Sequence, residues 1–260
     1  MILYFTGTGN SLAVARKIAA ETSDTVMSLN EATKRDLSKE KVVGMVYPSY
    51  DFNAPPIVRN AIPQLTVSKG TYLFIIIACG AQAGNSIWSV RKALRDKGLR
   101  VAYSNKIRVP DNSAMAFGRD PNSQKWKFER FAPRLQQIIA DIKQRRQEPH
   151  FSGWSFIGWV LGRPNMERRL LGAFRPTVNA NRCIGCGLCQ SICPMGNIII
   201  QERESGTTKV AVVGDNCTAC IGCLHACPHQ ALQFGQKETL KERQYRHPDT
   251  SANDLIQKTV

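Results

Sequence analysis

The chain carries one twelve-residue pattern twice, CIGCGLCQSICP from Cys183 and CTACIGCLHACP from Cys217, with identical cysteine and proline spacing. Eight of its nine cysteines fall in this stretch, so one region owns the thiol chemistry. Met1 to Phe5 runs straight into a glycine loop without a basic start or cleavage site, and no apolar run reaches the roughly 18 residues of a membrane span. The expectation is a cytoplasmic chain, where clustered cysteines serve metals or redox chemistry rather than disulfides. Zinc ligands usually come as two separated pairs. Three thiols at two-residue intervals fit zinc poorly, but they let one loop wrap three corners of a cubic iron–sulfur cluster. Gly185, Gly187, Ala219 and Gly222 leave room for backbone N–H groups to reach sulfur, and Pro194 and Pro228 turn the chain away. His225, between two of the cysteines, reads as a solvent-facing side chain.

The first ~150 residues alternate strand and helix patterns, the mark of a parallel α/β sheet. Strands are expected over 1–5, 25–29, 42–47, 72–78 and 99–109, and helices over 11–21, 56–65, 85–97 and 125–147. Ligands bind such sheets at the carboxyl ends of the strands, near the switch point.

At the first of those ends stands FTGTGNS, Phe5 to Ser11. A Walker loop needs a lysine followed by Ser or Thr, and none follows until Lys17. A dinucleotide fingerprint needs a third glycine, where Leu12 stands instead. The remaining reading is a hydroxyl-rich cradle for a phosphate monoester. Thr6, Thr8 and Ser11 would donate, helped by successive backbone N–H groups and the following helix.

Thr6, Gly7, Thr8, Gly9, Asn10 and Ser11 resemble the phosphate loop of the flavodoxin family. The resemblance implies FMN as cofactor and a doubly wound five-stranded parallel sheet of order 2-1-3-4-5. It also implies that Pro48, Ser49 and Tyr50, and the loop of Cys79, Gly80, Ala81, Gln82 and Gly84, flank the isoalloxazine. Tyr50 either stacks on the flavin or packs over the loop prolines. Cys79 is either redox-active or a small buried thiol, with the second preferred; typical flavodoxins carry a carboxylate in this loop.

The cysteine module resembles the bacterial two-cluster ferredoxins, a small α+β fold in which each fourth cysteine serves the other cluster. That resemblance implies one [4Fe–4S] cluster on Cys183, Cys186, Cys189 and Cys227, and a second on Cys193, Cys217, Cys220 and Cys223. Together the two halves resemble the fused flavodoxin–ferredoxin electron-transfer proteins typical of anaerobes. The expected divisions are 1–148 for the FMN domain, 149–176 for a connector, 177–235 for the cluster domain and 236–260 for a loosely held polar tail.

The formal charge of +15 lies mostly in the first part: residues 1–150 carry 23 Lys and Arg against 12 Asp and Glu, residues 178–235 three of each. The surplus reads as a solvated face or a dock for an acidic redox partner; no nucleic-acid module is recognised. In the connector, Phe151, Trp154, Ile157 and Leu161 recur at helical spacing before Arg163, Arg168, Arg169 and Arg175. This stripe either packs between the domains, the reading preferred, or lies on an anionic membrane surface. The function expected is electron relay between FMN and the clusters, joining one- and two-electron chemistry for a partner enzyme. The alternative is a flavin-dependent reductase of a small acceptor such as a quinone, fed by the clusters. No general-acid constellation stands out to support that alternative.

Overall fold

The computed structural model describes residues 1–148, 160, 163–203, 206, 208–235 and 237–256. The apolar stripe of the connector, Phe151 to Leu161, lies outside the described residues. The chain forms two compact units. The first comprises Met1–Thr6, Asn10–Pro110 and Lys125–Glu167; the second comprises Gly7–Gly9, Asp111–Gln124 and Arg168–Val260.

The first unit is a parallel sheet with helical crossovers. Its strands are β1 (Ile2–Tyr4), β2 (Val26–Ser28), β3 (Val42–Pro48), β4 (Tyr72–Cys79) and β5 (Val101–Arg108), in the order β2-β1-β3-β4-β5. All four ladders are parallel, with Ile2 opposite Val26 and Gly44, and Val42 opposite Tyr72. This is the flavodoxin-like doubly wound order, with its switch point between β1 and β3. The interior strand β4, YLFIIIAC, is buried along its whole length, as a strand covered on both faces must be. Leu73 to Ile77 are each at most 3% exposed, and burial of each such side chain stabilises the fold by about 1.5–3 kcal/mol.

The crossovers are α1 (Asn10–Thr22), α2 (Pro56–Ala61) and α3 (Ser86–Asp96), and α4 (Trp126–Lys143) follows the last strand. Their apolar faces, including Val14, Ala15 and Ile18 of α1 and Ile138, Ile139 and Ile142 of α4, close the core. The helix expected over 56–65 is shorter, because Pro63 follows Ile62 and the last turn tightens to a 3-10 helix, Ile62–Gln64. The charged stretch after β2 supplies a short helix, Leu29–Ala32, and a two-residue parallel pairing of Asp36–Leu37 with Thr66–Val67. Asp141 of α4 is buried, and burial opposes its ionisation. Hydrogen bonds from Tyr103, Gln137 and Arg146 more than offset this and hold its carboxyl below the usual range.

The second unit holds the cysteine module. A helix, Pro164–Ala173, leads to it across the boundary between the units. It has an antiparallel ladder of β6 (Ile198–Glu202) with β7 (Lys209–Val213), and two one-turn helices, α5 (Leu188–Ile192) and α6 (Gly222–Ala226). Thr177–Val178 pairs with Leu232–Gln233, joining the two ends of the module. Its core is Ile192, Ile198, Ala211, Leu224, Leu232 and Leu255, packed with cysteines. The polar stretch after Gly235 buries Tyr245, His247, Thr250 and Leu255 within this unit. Among the described residues no helix is long and apolar enough to cross a membrane.

Gly44 on β3 tests the packing of the sheet, since a Cβ there would stand 2.2 Å from the Phe74 ring, whereas at Gly70 it would meet nothing within 4 Å. Urea unfolding of Gly44→Ala should show a loss of about 1–3 kcal/mol. Gly70→Ala should unfold within about 0.5 kcal/mol of the parent.

Candidate functional site

Two cavities in the second unit are lined by thiols. One, of about 320 Å³, is lined by Cys183, Cys186, Cys189 and Cys227 together with Gly185, Ile200 and Ala211. The other, of about 370 Å³, is lined by Cys193, Cys217, Cys220 and Cys223 with Thr218, Ile198 and Ile221. Each cavity thus takes three thiols from one repeat and the fourth from the other, the grouping that the ferredoxin resemblance implies. Among the described residues no three His, Cys, Asp or Glu side chains close on a single ion-sized point; the thiols stand around cavities instead.

The loops that present them repeat in conformation as well as in sequence. Gly185 and Gly187 of the first repeat have φ of 67° and 80°. Their counterparts Ala219 and Ile221 have φ of 55° and 51°. A β-branched residue in the left-handed region costs about 1–2 kcal/mol, and such strain persists where the surroundings fix it. The second loop therefore keeps the shape of the first without its glycines. At Gly185 a Cβ would fall 2.5 Å from that of Lys209, so the first loop also needs its glycine for close approach to β7.

Backbone N–H groups aim at sulfur in both sites. Ala211 donates to Cys183 Sγ and Ala231 to Cys227 Sγ, both at 3.3 Å. Asn197 donates to Cys193 Sγ at 3.3 Å and Ala219 to Cys217 Sγ at 3.4 Å. Burial pushes the Cys189 thiol up to about 11 and that of Cys220 up to about 12, and raises Cys217 and Cys223 as well. Cationic metal among grouped thiols favours their ionisation together. This donor set, thiols supported by N–H···S bonds around a cavity, fits an iron–sulfur cluster.

The other candidate residues lie at the carboxyl edge of the sheet. Pro48 ends β3 and Cys79 ends β4. The loops that follow are tied together: Ser49 Oγ donates to Ala83 O at 3.1 Å and Ser86 Oγ to Ser49 Oγ at 2.8 Å. Asn85 N donates to Phe52 O at 2.6 Å. Gly84, at φ 53°, approaches Phe52 so closely that a Cβ would meet its carbonyl at 2.1 Å. Tyr50 packs edge-on against Phe5, centroids 6.2 Å apart, and exchanges main-chain hydrogen bonds with Asn53. Cys79 is 3% exposed, and Ala81 and Gln82 face solvent.

In the loop after β1, Thr6, Thr8, Asn10 and Ser11 are all buried. Ser11, at the start of α1, is 1% exposed, and its hydroxyl has no hydrogen-bond partner among the described residues. A buried unpaired hydroxyl at a helix N-terminus is an open donor for an anion. Asn10 is committed elsewhere, its amide donating to Pro110 O at 3.0 Å.

Several residues that no motif singled out support these sites. Lys127 is buried and its Nζ donates to Gly80 O at 2.8 Å, placing an ammonium under the loop after β4. Within the second unit, Thr8 O accepts from His247 N at 2.9 Å, and Thr8 Oγ1 accepts from Asn112 Nδ2 at 3.2 Å. Gly9 has φ 95°, and a Cβ there would lie 2.3 Å from Thr250 Oγ1. His225 is a correction to the sequence reading. It is 7% exposed, and burial pushes it down to about 4, so it is neutral. Its Nδ1 accepts from Tyr245 N, which leaves the proton on Nε2 to donate to Asn112 O at 3.1 Å. The one available signal is a break in the repeat, since His225 stands where the first half has the exposed Ser191.

Residues 182–231 match the family model described as a 4Fe-4S dicluster domain. An uncharacterized ferredoxin of Methanocaldococcus jannaschii is 36% identical over 25% of this chain, and this chain spans 42% of its length. Pyruvate synthase subunit PorD of the same organism is 37% identical over 25% of this chain and 71% of its own length. Among solved structures, Megasphaera elsdenii flavodoxin is 21% identical over 43% of this chain and 88% of its own, with a TM-score of 0.32. The flavodoxin-like description of the first unit rests on its strand order and parallel ladders. With four thiols around each of two cavities and the dicluster model matched across both, the chain belongs to the 4Fe–4S dicluster ferredoxin family, its cluster module following a flavodoxin-like sheet.

Proposed function

We propose that this protein relays electrons between FMN and two [4Fe–4S] clusters and delivers them to, or collects them from, a partner redox enzyme. The observation that carries the reading is the pair of four-cysteine cavities in a chain that also contains a flavodoxin-like sheet. A bound flavin supplies exchange of electrons singly or in pairs, and each cluster supplies exchange of one.

The chain's own residues bind, orient and shield. Cys183, Cys186, Cys189 and Cys227 hold one cluster, and Cys193, Cys217, Cys220 and Cys223 the other. The hydroxyls of Thr6, Thr8 and Ser11 and the N-terminus of α1 hold the FMN phosphate, with Gly7 and Gly9 giving the loop its turn. Ser11 Oγ, unpaired among the described residues, gains its partner in that phosphate. Pro48, Ser49 and Tyr50, and Cys79 to Gly84, wall the isoalloxazine, and the ties between those two loops keep the wall fixed. Lys127 braces the second loop from below. Cys79 acts as a buried wall residue rather than a redox group.

The relative PorD is by name a subunit of pyruvate synthase, which supports a protein as the electron partner here. The surplus of Lys and Arg in the first 150 residues supports a partner with an acidic docking face. Association with such a partner should slow as salt rises past ~0.15 M. A salt-independent association rate by stopped flow would remove the charge argument.

Anaerobic reconstitution followed by flavin, iron and sulfide analysis tests the cofactors. One FMN, eight irons and eight sulfides per chain are expected, and zinc without acid-labile sulfide would overturn the reading. The crossed ligand sets give a sharper outcome. Cys193→Ala and Cys220→Ala should each leave about four irons and the same residual EPR spectrum, although Cys193 lies in the first repeat. Ser11→Ala should behave oppositely in two assays. Removing a buried unpaired hydroxyl should raise the stability of the flavin-free chain by about 1 kcal/mol, while loss of a bond to a charged phosphate should weaken FMN binding about tenfold or more.

A further inference from the structure

The two cluster cavities match in the number of backbone donors to sulfur and differ in their side chains, Thr218 among them. Among the described hydrogen bonds, each cavity has two N–H···S bonds to its cysteines, at 3.3 to 3.4 Å. After the first cysteine of each repeat, the first has Ile184 and the second Thr218. Ile184 is 61% exposed and offers no donor. Thr218 is 3% exposed, lines the second cavity, and its Oγ1 has no hydrogen-bond partner among the described residues. A buried hydroxyl without a partner is destabilising, so its position calls for an acceptor outside the described side chains. The cavity lining includes the apolar side chains of Ile192, Ile198, Val213 and Ile221; the Asn197 amide there is engaged with Gly214 O and Asn216 N, and sulfur is the acceptor chemistry that the second cavity gathers.

Resting on the reading that this cavity holds a [4Fe–4S] cluster, we infer that Thr218 is a tuning residue whose hydroxyl donates a hydrogen bond to a cluster sulfur there, and that it makes this cluster easier to reduce than its backbone donors and burial alone would. Reduction adds one electron and one negative charge, with no bond broken. The proton stays on Oγ1, and the O–H···S bond strengthens as the sulfur gains charge. Hydrogen bonds to sulfur are among the features that set cluster potentials, and the first cavity lacks this one. The repeat thus contains a built-in asymmetry, with Thr218 biasing where a single electron comes to rest.

The test is an anaerobic redox titration of the full chain with both clusters, followed by EPR, for the parent, Thr218→Val and Thr218→Ser. Valine keeps the volume and shape of threonine and removes only the hydroxyl; serine keeps the hydroxyl. Thr218→Val should lower the reduced-to-oxidised ratio of one cluster about tenfold at a given potential, a shift of about 59 mV for one electron, and leave the other cluster in place. Thr218→Ser should restore the ratio to within about threefold of the parent. Equal movement of both clusters in Thr218→Val, or movement of neither, would overturn the inference while an iron content of eight leaves the cofactor reading standing. An iron content below eight in the parent would instead remove that reading itself.

Discussion

Burial of the thiols is the constraint on which the second unit depends. Cys189, Cys220, Cys223 and Cys227 are each less than 10% exposed, and four thiolates facing one cavity repel. Such a site is unfavourable until metal supplies positive charge and N–H groups are aimed at the sulfurs. The module meets the second need with backbone geometry. Left-handed residues at 185, 187, 219 and 221 turn the ligand loops, and four N–H groups reach sulfur, that of Ala211 from the ladder and those of Asn197, Ala219 and Ala231 from loops. Because Cys193 and Cys227 each cross to the other repeat's cavity, neither half can order its site without the other.

The first unit solves a different problem, to hold a flexible loop at the edge of a rigid sheet. Its interior strand β4 is apolar on both faces and fixes the carboxyl ends of β1, β3 and β4 in register. The loops after β3 and β4 are then locked to each other by Ser49, Ser86, Phe52 and Gly84, with little freedom left to collapse. The loop after β1 is buried yet keeps one hydroxyl, Ser11, unpaired among the described residues.

Much of this was legible in the sequence because it rests on local spacing. Alternating apolar strands and amphipathic helices located the sheet, and cysteine intervals of two and three residues located both cavities. The loop of hydroxyls and glycines was equally local. What escaped depends on contacts between residues far apart in the chain. His225 looks like an exposed polar residue until Tyr245 and Asn112 are seen on its two ring nitrogens. Lys127 reads as one more surface cation until its ammonium is found on the Gly80 carbonyl. The stretch after Gly235 is polar in composition, yet Tyr245 and Leu255 are buried, because a few well-placed apolar side chains suffice to anchor a segment. Ile221 in a left-handed turn contradicts local preference outright, and only the symmetry of the repeat gives the reason.

The central claim is that flavin and clusters in this one chain exchange electrons directly. The measurement that tests it most directly is flash reduction of the flavin in the fully loaded protein under anaerobic conditions, with cluster absorbance followed over a range of protein concentrations. The account predicts reduction of the clusters at a rate independent of concentration. A rate that rises in proportion to protein concentration, or flavin that stays reduced while the clusters remain oxidised, would contradict it.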